Sequence, residues 1–437
     1  MNQLTVIGGG FAGLVAAISA AEAGSRVTVH ESHQTLGGRA RTADGPYRTN
    51  EGPHAFYNQG PHWGWLEQRD LIGPLAPVPF TESTKLRVHS GGKLRMTPPM
   101  AVVKLARKPL AEAPVDTDFF TWASSIVGEE GARAVSNVVA VSFFHHDVGA
   151  LSAAFVQERL RRLARLSPEA RFPRGGWQSV IDRMAARARE LGVTIETGAR
   201  VTEVPADRGP VIVATSLAAA SQLLDDSSLT WESGRAVLVD VAVRHRRGDL
   251  YAIADADAPA WIERFTAQDK TLAPAGEELI QAQIPIGPDE AKSVGVERAE
   301  RLFDLGYKGW RERTTWRGKD ALCVGRTGAV DRPGTTWRDR PAIDRGHGVY
   351  LAGDQVAAPG VLSEVSFSSA LEAVSLALAA GGRGGTVAHT PGREPRHHTS
   401  PKPQPVAQRL TAPRTQTQPK TQEQQSPAQS PAQGQAG

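Results

Sequence analysis

The chain has 437 residues, of which 40% are hydrophobic, and its formal net charge is +4 at pH 7. This length exceeds that of one ordinary hydrophobic core, so the composition predicts a globular protein with two domains. The single cysteine, Cys323, excludes an internal disulfide, and its apolar neighbours indicate a buried core thiol and not a catalytic nucleophile.

The first predicted elements are a strand that begins at Leu4, a glycine-rich turn and a helix. Gly8, Gly10 and Gly13 have the spacing G-x-G-x-x-G, and alanines continue beyond them at helical spacing. Glycine at these positions permits a sharp turn, close approach to a pyrophosphate and tight packing of helix on strand, and the helix N-terminus offers free N–H groups. The residues expected to bind a nucleotide here are Gly8, Gly10, Phe11, Ala12 and Gly13. A turn that binds no nucleotide is the alternative.

A second predicted strand, residues 26–30, ends at Glu31, which Ser32 follows. A carboxylate about 20 residues after the glycines can accept hydrogen bonds from an adenosine ribose. We therefore include Glu31 and Ser32 in the candidate nucleotide site. This much is common to NAD and FAD sites.

Two further segments favour FAD. Gly38 and Arg39 belong to a Gly-Gly-Arg-Ala-Arg-Thr run, whose glycines and guanidinium groups suit a diphosphate with a long second arm; a solvated turn is the alternative. Near the other end of the chain, a predicted strand that starts at Gly348 ends at Gly353 and Asp354. Asp354 could hold a ribityl hydroxyl.

A helix is predicted over residues 363–380, directly after Val361 and Leu362. Its N-terminal N–H groups could meet the flavin edge on which charge develops during reduction.

Two features of the middle of the chain admit a second interpretation. Residues 151–165 combine an apolar stripe with four arginines, which is typical of a helix lying on a membrane surface or of a lid helix packed on its own domain with a solvated arginine face. The second feature, His145-His146-Asp147, lacks further ligands at metal-binding spacing, so no metal site is expected.

Residues 383–437 contain nine Pro and ten Gln, with seven Lys or Arg against two Asp or Glu. Without aromatic residues this tail is predicted to be disordered, and a solvated extension is favoured over a nucleic-acid or membrane partner. No apolar stretch approaches the roughly 20 residues that cross a bilayer, and the strand at Leu4 leaves no room for a signal peptide. A cytoplasmic protein that binds no nucleic acid is expected, with peripheral membrane contact as an open alternative.

With these motifs in this order, the chain resembles the FAD-dependent amine oxidase and phytoene desaturase-like flavoprotein superfamily, including its protoporphyrinogen oxidase branch. Two further segments carry the resemblance, residues 50–54 (Asn-Glu-Gly-Pro-His) and residues 172–177. The resemblance implies that Gly52, Pro53 and His54 lie beside the flavin ring and that the backbone at Val201 meets the adenine. Residues 363–366 read Ser-Glu-Val-Ser, where relatives more often have Met-Glu-Gly-Ala.

The predicted fold class is α/β, with a discontinuous Rossmann-type FAD-binding domain and an inserted α+β substrate-binding domain. The FAD-binding domain is assigned to residues 1–80, 170–225 and 320–382, and the substrate-binding domain to residues 81–169 and 226–319.

The predicted function is FAD-dependent removal of a hydride from a substrate C–H bond. The Gly-Pro-His run favours a desaturase-like reaction on an apolar small molecule, and an amine oxidase or a non-catalytic flavin-binding protein are the alternatives. His54 is a candidate base, although a structural role in its turn is favoured. Since no second glycine fingerprint offers a nicotinamide site, oxygen or a quinone is the expected electron acceptor.

Overall fold

The computed structural model describes residues 3–52, 55–106, 111–163, 169–205 and 209–381. The strands are β1 (Gln3–Ile7), β2 (Arg26–Glu31), β3 (Phe56–Tyr57), β4 (Leu86–Ser90), β5 (Lys93–Arg95), β6 (Ala170–Arg171), β7 (Thr194–Thr197), β8 (Val211–Val213), β9 (Ser233–Arg244), β10 (Ala252–Asp255), β11 (Ala260–Arg264), β12 (Glu277–Pro285), β13 (Thr314–Arg317), β14 (Ala321–Ala329) and β15 (Val349–Leu351). The helices are α1 (Phe11–Glu22), α2 (Pro61–Glu67), α3 (Phe80–Ser83), α4 (Met100–Leu105), α5 (Phe119–Val139), α6 (Ala153–Leu163), α7 (Gln178–Glu190), α8 (Leu217–Leu224), α9 (Lys292–Gly306), α10 (Trp310–Arg313) and α11 (Ser363–Gly381).

Five parallel strands form a sheet in the order β15-β8-β1-β2-β7. The apolar residues of β1 and β8 are buried because helices cover both faces, as is usual for parallel strands. Helix α1 packs against α7 and α11 through alanines that are fully buried. This arrangement is the Rossmann-type fold that the sequence predicts, and it brings the carboxyl ends of β1, β2 and β15 to one edge.

The larger sheet has eight strands in the order β13-β9-β12-β11-β10-β4-β5, and β14 also pairs with β9. Its pairs are antiparallel except for β10 with β4. The long strand β9 alternates: Val237, Val239 and Val241 pack under α9, whereas Ala236 and Leu238 point to the opposite face. The larger sheet therefore has two different faces. One packs under α9, and the other faces the parallel sheet.

Sheet pairing can be compared with the predicted domains. Strand β14 lies in the range 320–382 that the sequence assigns to the FAD-binding domain, yet it pairs with β9 of the larger sheet. Residues Met1–Gly384 form one compact unit, so the proposed division of this unit remains a prediction. The tail, 383–437, lies outside the described residues. Among the residues described, no helix is both long enough and apolar enough to cross a bilayer.

Helix α6 does not have the solvated arginine face that its sequence suggests. The Arg159 side chain is buried, 4.0 Å from the centre of the Tyr57 ring and 3.9 Å from the carboxylate of Glu169. Arg162 donates hydrogen bonds to Glu169 and Glu364, at 2.6–2.9 Å. The apolar side packs against α5, so α6 is a packed helix that holds the cations of Arg159 and Arg162 inside the protein.

Arg162 connects α6 to α11, because Glu364 lies in the first turn of α11. Burial opposes ionisation of Glu364, but its hydrogen bonds and charge interaction with Arg162 outweigh this and lower its pKa. A carboxyl group with a lowered pKa stabilises the fold above its ordinary pKa of 4.5 and loses that contribution as the pH falls.

We predict that Arg162→Met destabilises the protein by about 3–5 kcal/mol at neutral pH, since two buried carboxylates lose the guanidinium group that donates hydrogen bonds to them. Denaturant unfolding measures this, and the exposed Arg189→Met in α7 should change the free energy of unfolding by less than about 0.5 kcal/mol. The difference between wild type and Arg162→Met should shrink below pH 4.5. Equal stability of both variants at pH 7 would contradict this role for Arg162.

Candidate functional site

The glycine turn between β1 and α1 has the steric constraints that its spacing predicts. Gly8 has φ of +110°, and a Cβ there would lie 2.6 Å from the carbonyl oxygen of Ala214. A Cβ on Gly13 would lie 1.9 Å from the Gly8 oxygen, so the close contact of helix and strand needs glycine. For Gly10 the nearest atom to an added Cβ is 3.8 Å away. Protein packing does not require glycine at Gly10, which lines a cavity instead.

The N-terminus of α1 is open to this cavity. Gly10 is its N-cap, without a side-chain hydrogen bond, and the first turn contains no acidic residue. Phe11 and Ala12 line the cavity beside it. The first N–H groups of a helix have no partner within the helix and bind anions favourably. This end of the cavity therefore suits a phosphate group.

Glu31, at the end of β2, holds the glycine turn and the next loop together. Its buried carboxylate accepts hydrogen bonds from the amides of Gly9 (2.8 Å) and His33 (2.9 Å) and contacts the His33 ring. Burial acts to raise the pKa of Glu31. The hydrogen bonds from His33 and Gly9 together outweigh this effect, so the pKa of Glu31 is lowered. An ionised acceptor thus stands on the cavity wall, next to Ser32.

Arg39 and Asp354 form an ion pair on the cavity wall that joins two distant segments of the chain. The guanidinium donates to both carboxylate oxygens of Asp354, at 2.5 and 2.7 Å, and to the backbone oxygen of Arg326 at 2.7 Å. The two residues are 315 positions apart in sequence. The structure thus joins two segments that sequence patterns identify separately, and it adds β14 through Arg326.

The start of α11 differs in part from the expectation. Leu362, which has φ of +53°, lines the cavity. Ser363 and Ser366 line it as well. The amide of Val361 donates to the side chain of Glu364 at 3.2 Å, and Val361 lies outside the cavity wall. This N–H group is therefore engaged within the protein, whereas the following residues face the cavity.

These segments enclose a cavity of about 560 Å³. The predicted site residues on its wall are Gly8, Gly10, Phe11, Ala12, Glu31, Ser32, Gly38, Arg39, Gly52, Val201, Gly353, Asp354 and Leu362. Gly13 lies beneath the wall and Val361 beside it, and Pro53 and His54 lie outside the described residues. The volume, the open helix end and the unfilled space at Gly10 fit a dinucleotide.

The sequence did not indicate several residues on this wall. Phe144 is buried and has φ of +48°, a conformation with a steric cost in side chains other than glycine. Tyr57, Ala236 and Leu238 also line the cavity. No local pattern identifies them, because they reach the cavity only through tertiary folding. Trp177 is the exception, since it follows the Gly-Gly pair of the segment 172–177.

Cys323 corrects the expectation of a core thiol. It lies on β14, is partly exposed and lines the cavity. Partial burial raises the pKa of its thiol, although Arg326 and Arg39 act in the opposite direction. The apolar neighbours Leu322 and Val324 that suggested a core position are themselves exposed on this edge strand.

Metal-type ligands are also present away from the cavity. His145 of the His-His-Asp run contacts the backbone oxygen of Asp147 at 2.9 Å and the carboxylate of Glu232 at 3.3 Å. Both of its ring nitrogens are therefore engaged within the protein. Within the described ranges, a different cluster has ligand atoms within 4.8 Å of one another: His89, Asp255 and Asp257. The Asp257 carboxylate accepts hydrogen bonds from the amides of Gly91 and Gly92 in the β4–β5 turn, and the Asp255 carboxylate accepts one from the amide of Asp257.

Comparison with known families supports a flavin site. A model for an NAD(P)-binding Rossmann-like domain matches residues 6–68, and a model for flavin containing amine oxidoreductase matches residues 74–239. Together these matches cover the glycine fingerprint, the segment 172–177 and most of β9. A comparison with curated protein sequences finds no significant match.

Solved structures share the fold. An oxidoreductase from Methanosarcina mazei superposes with a TM-score of 0.69 and 17% identity, covering 85% of this chain and 99% of its own. Cyclohexylamine oxidase from Brevibacterium oxydans gives 0.62 and 16%, covering 87% and 100%. Reduced UDP-galactopyranose mutase gives 0.61 and 14%, covering 87% and 96%.

The match to the flavin containing amine oxidoreductase model identifies the cofactor as FAD, and the glycine fingerprint and the cavity fit it. The chain belongs to the FAD-dependent amine oxidase-like superfamily and is an FAD-dependent oxidoreductase.

Proposed function

We propose that this oxidoreductase removes a hydride from a C–H bond of a largely apolar small molecule and that a proton is lost from the adjacent atom, so that a new double bond forms. The observation that carries the proposal is the single cavity in which the nucleotide-binding turn and apolar residues of the larger sheet share one wall. When bound, FAD supplies the hydride acceptor.

The residues contributed by the rest of the chain support an apolar substrate. Ala236 and Leu238 of β9 and the ring of Phe144 line the cavity, and all three are buried. Apolar walls exclude water and favour a substrate of the same character. On this proposal they hold the reacting carbon in place while Arg39 and Glu31 hold the nucleotide.

An amine substrate is the second candidate. The description of the matching family, flavin containing amine oxidoreductase, and the aromatic rings of Tyr57 and Phe144 on the cavity wall favour it. Aromatic rings pack well around a neutral amine. The larger sheet's contribution of alanine and leucine is the reason for placing the apolar substrate first.

Oxygen or a quinone is the proposed electron acceptor. The sequence has one G-x-G-x-x-G fingerprint, so the chain offers no second Rossmann turn for a nicotinamide. A diffusible acceptor would enter the same cavity after the product leaves.

Asp240 is a titratable group next to this site. It follows Ala236 and Leu238 on the same side of β9. Gln281 donates to its carboxylate at 2.8 Å, and the same amide group lies 3.5 Å from the backbone oxygen of Asn50, next to Glu51 of the cavity wall. Burial and the nearby Asp320 raise the pKa of Asp240 to about 7, against the hydrogen bond from Gln281.

Gly10→Val is predicted to abolish FAD uptake without unfolding the protein, because its side chain enters the cavity and meets no protein atom closer than 3.8 Å at Cβ. Flavin absorbance of the purified protein and titration with FAD measure this. Gly64→Val, at a position in α2 where an added Cβ has open space, should retain FAD. Normal FAD binding by Gly10→Val would show that the nucleotide does not lie against this turn.

Anaerobic reduction of the bound flavin tests the substrate class. Conjugated, apolar C–H donors should bleach the flavin absorbance, and air or a soluble quinone should restore it whereas NAD(P)⁺ should not. Bleaching by primary or secondary amines alone would replace the first candidate with the second. If neither class bleaches a flavin that dithionite reduces normally, both substrate assignments are wrong.

The rate of anaerobic flavin reduction should rise with pH through about 7. Hydride loss leaves positive charge on the substrate, and ionised Asp240 stabilises that charge. Asp240→Asn should remove this inflection, and Asp320→Asn should move it to lower pH, because a neighbouring negative charge is lost. An unchanged inflection in Asp240→Asn would assign it to another group.

A further inference from the structure

Exposed apolar side chains are concentrated in one segment that the catalytic proposal does not use. Of the nine large hydrophobic side chains that are exposed among the described residues, four lie between residues 80 and 103. Phe80 is 83% exposed, Met96 69%, Met100 70% and Val103 38%. Single exposed apolar side chains are ordinary, whereas a group of them marks an interaction surface.

These residues lie on consecutive elements. Phe80 is the first residue of α3, which two residues separate from β4, and Val88 of β4 is opposite Arg95 of β5, which Met96 follows. Met96 is followed after three residues by α4. One side of α4 packs on α5 through Leu105 and its apolar neighbours, which leaves the other side outward.

The outward side of α4 carries Met100, Val103 and Lys104. The helix therefore presents two apolar side chains and one cation away from the protein. Its inward packing fixes this orientation, so the exposed residues are held on a rigid element.

The segment that carries these side chains is basic. Residues 83–106 contain five Lys or Arg and no Asp or Glu. The two acidic groups beside it are engaged, since Glu82 pairs with Lys85 and Arg264 and Asp257 accepts hydrogen bonds from the β4–β5 turn. Lys93, Arg95 and Lys104 are exposed, whereas Lys85 is paired with Glu82 at 2.8 Å. We refer to Phe80, Met96, Met100, Val103, Lys93, Arg95 and Lys104 as the apolar-basic surface.

We propose that the apolar-basic surface binds an anionic phospholipid bilayer. The methionines and the phenylalanine would enter the boundary between headgroups and acyl chains, and the three exposed cations would contact anionic headgroups. A bilayer is favoured over a protein partner because a segment with cations but no acidic residue suits a uniformly negative surface. This inference does not depend on the proposed function. It also replaces α6 as the membrane-binding element, since Arg159 and Arg162 are committed to internal contacts.

Co-sedimentation of the full-length, FAD-loaded protein with vesicles tests the proposal. Wild type should bind vesicles of equal parts phosphatidylcholine and phosphatidylglycerol. Its affinity for vesicles of pure phosphatidylcholine should be at least about tenfold lower. The triple variant Phe80→Ser, Met96→Ser, Met100→Ser should lose at least about tenfold in affinity, because it removes the inserted apolar area. The double variant Lys93→Glu, Arg95→Glu should also lose binding, and the loss should be greatest at low salt.

Leu305→Ser on α9 is the matched control, because Leu305 is an exposed leucine far along the chain from this segment. It should bind vesicles as wild type does, and flavin absorbance confirms that each variant is folded. Every variant retains the tail, whose charge is +5. If the triple variant binds anionic vesicles as tightly as wild type, the tail or another surface is responsible and the proposal is wrong. Absence of vesicle binding by wild type, with or without self-association, overturns it as well.

Discussion

The ion pair between Arg39 and Asp354 is the interaction on which the organisation of the site depends. It connects the loop after β2 to the loop after β15, and it contacts β14 through the backbone of Arg326. A partly buried, bidentate pair adds little net stability, because desolvation offsets most of the attraction. Its geometry is nevertheless specific, since the planar guanidinium fixes both distance and orientation. The pair therefore determines the shape of the cavity more than the stability of the fold.

The two sheets contribute different chemistry to the same cavity. The parallel sheet supplies backbone amides, a carboxylate and a helix end, all at the carboxyl edge of its strands. The larger sheet supplies side chains, because its strand β9 alternates between a valine face under α9 and a face with Ala236, Leu238 and Asp240. Strand alternation thus lets one element complete a hydrophobic core and line a binding site. In the proposed function, the same division separates nucleotide binding from substrate selection.

Buried cations explain why a pattern of charges can mislead. From the sequence, the arginines of α6 are compatible with a membrane surface or with solvent, because both accept charge. In the structure Arg159 lies against Tyr57, and Arg162 neutralises Glu169 and Glu364. Glu169 is seven positions from Arg162 in sequence, and Glu364 is 202 positions away. Conversely, the exposed apolar side chains near α4 have no periodic signature in the sequence, and only the packing of α4 on α5 shows which side faces outward.

The sequence by itself determined the nucleotide-binding turn and the Rossmann-type fold, and the segments around Arg39 and Asp354 favoured FAD as the cofactor. The turn and the fold follow from local constraints: Gly8 needs a positive φ, Gly13 needs contact without a Cβ, and Glu31 reaches the turn from the next strand. The tertiary structure decided which distant residues meet. It placed Asp354 on Arg39 and not alone in the cavity, engaged the Val361 amide with Glu364, and brought Cys323, Tyr57 and Phe144 to the wall. Such contacts depend on long-range packing, which short-range spacing does not encode.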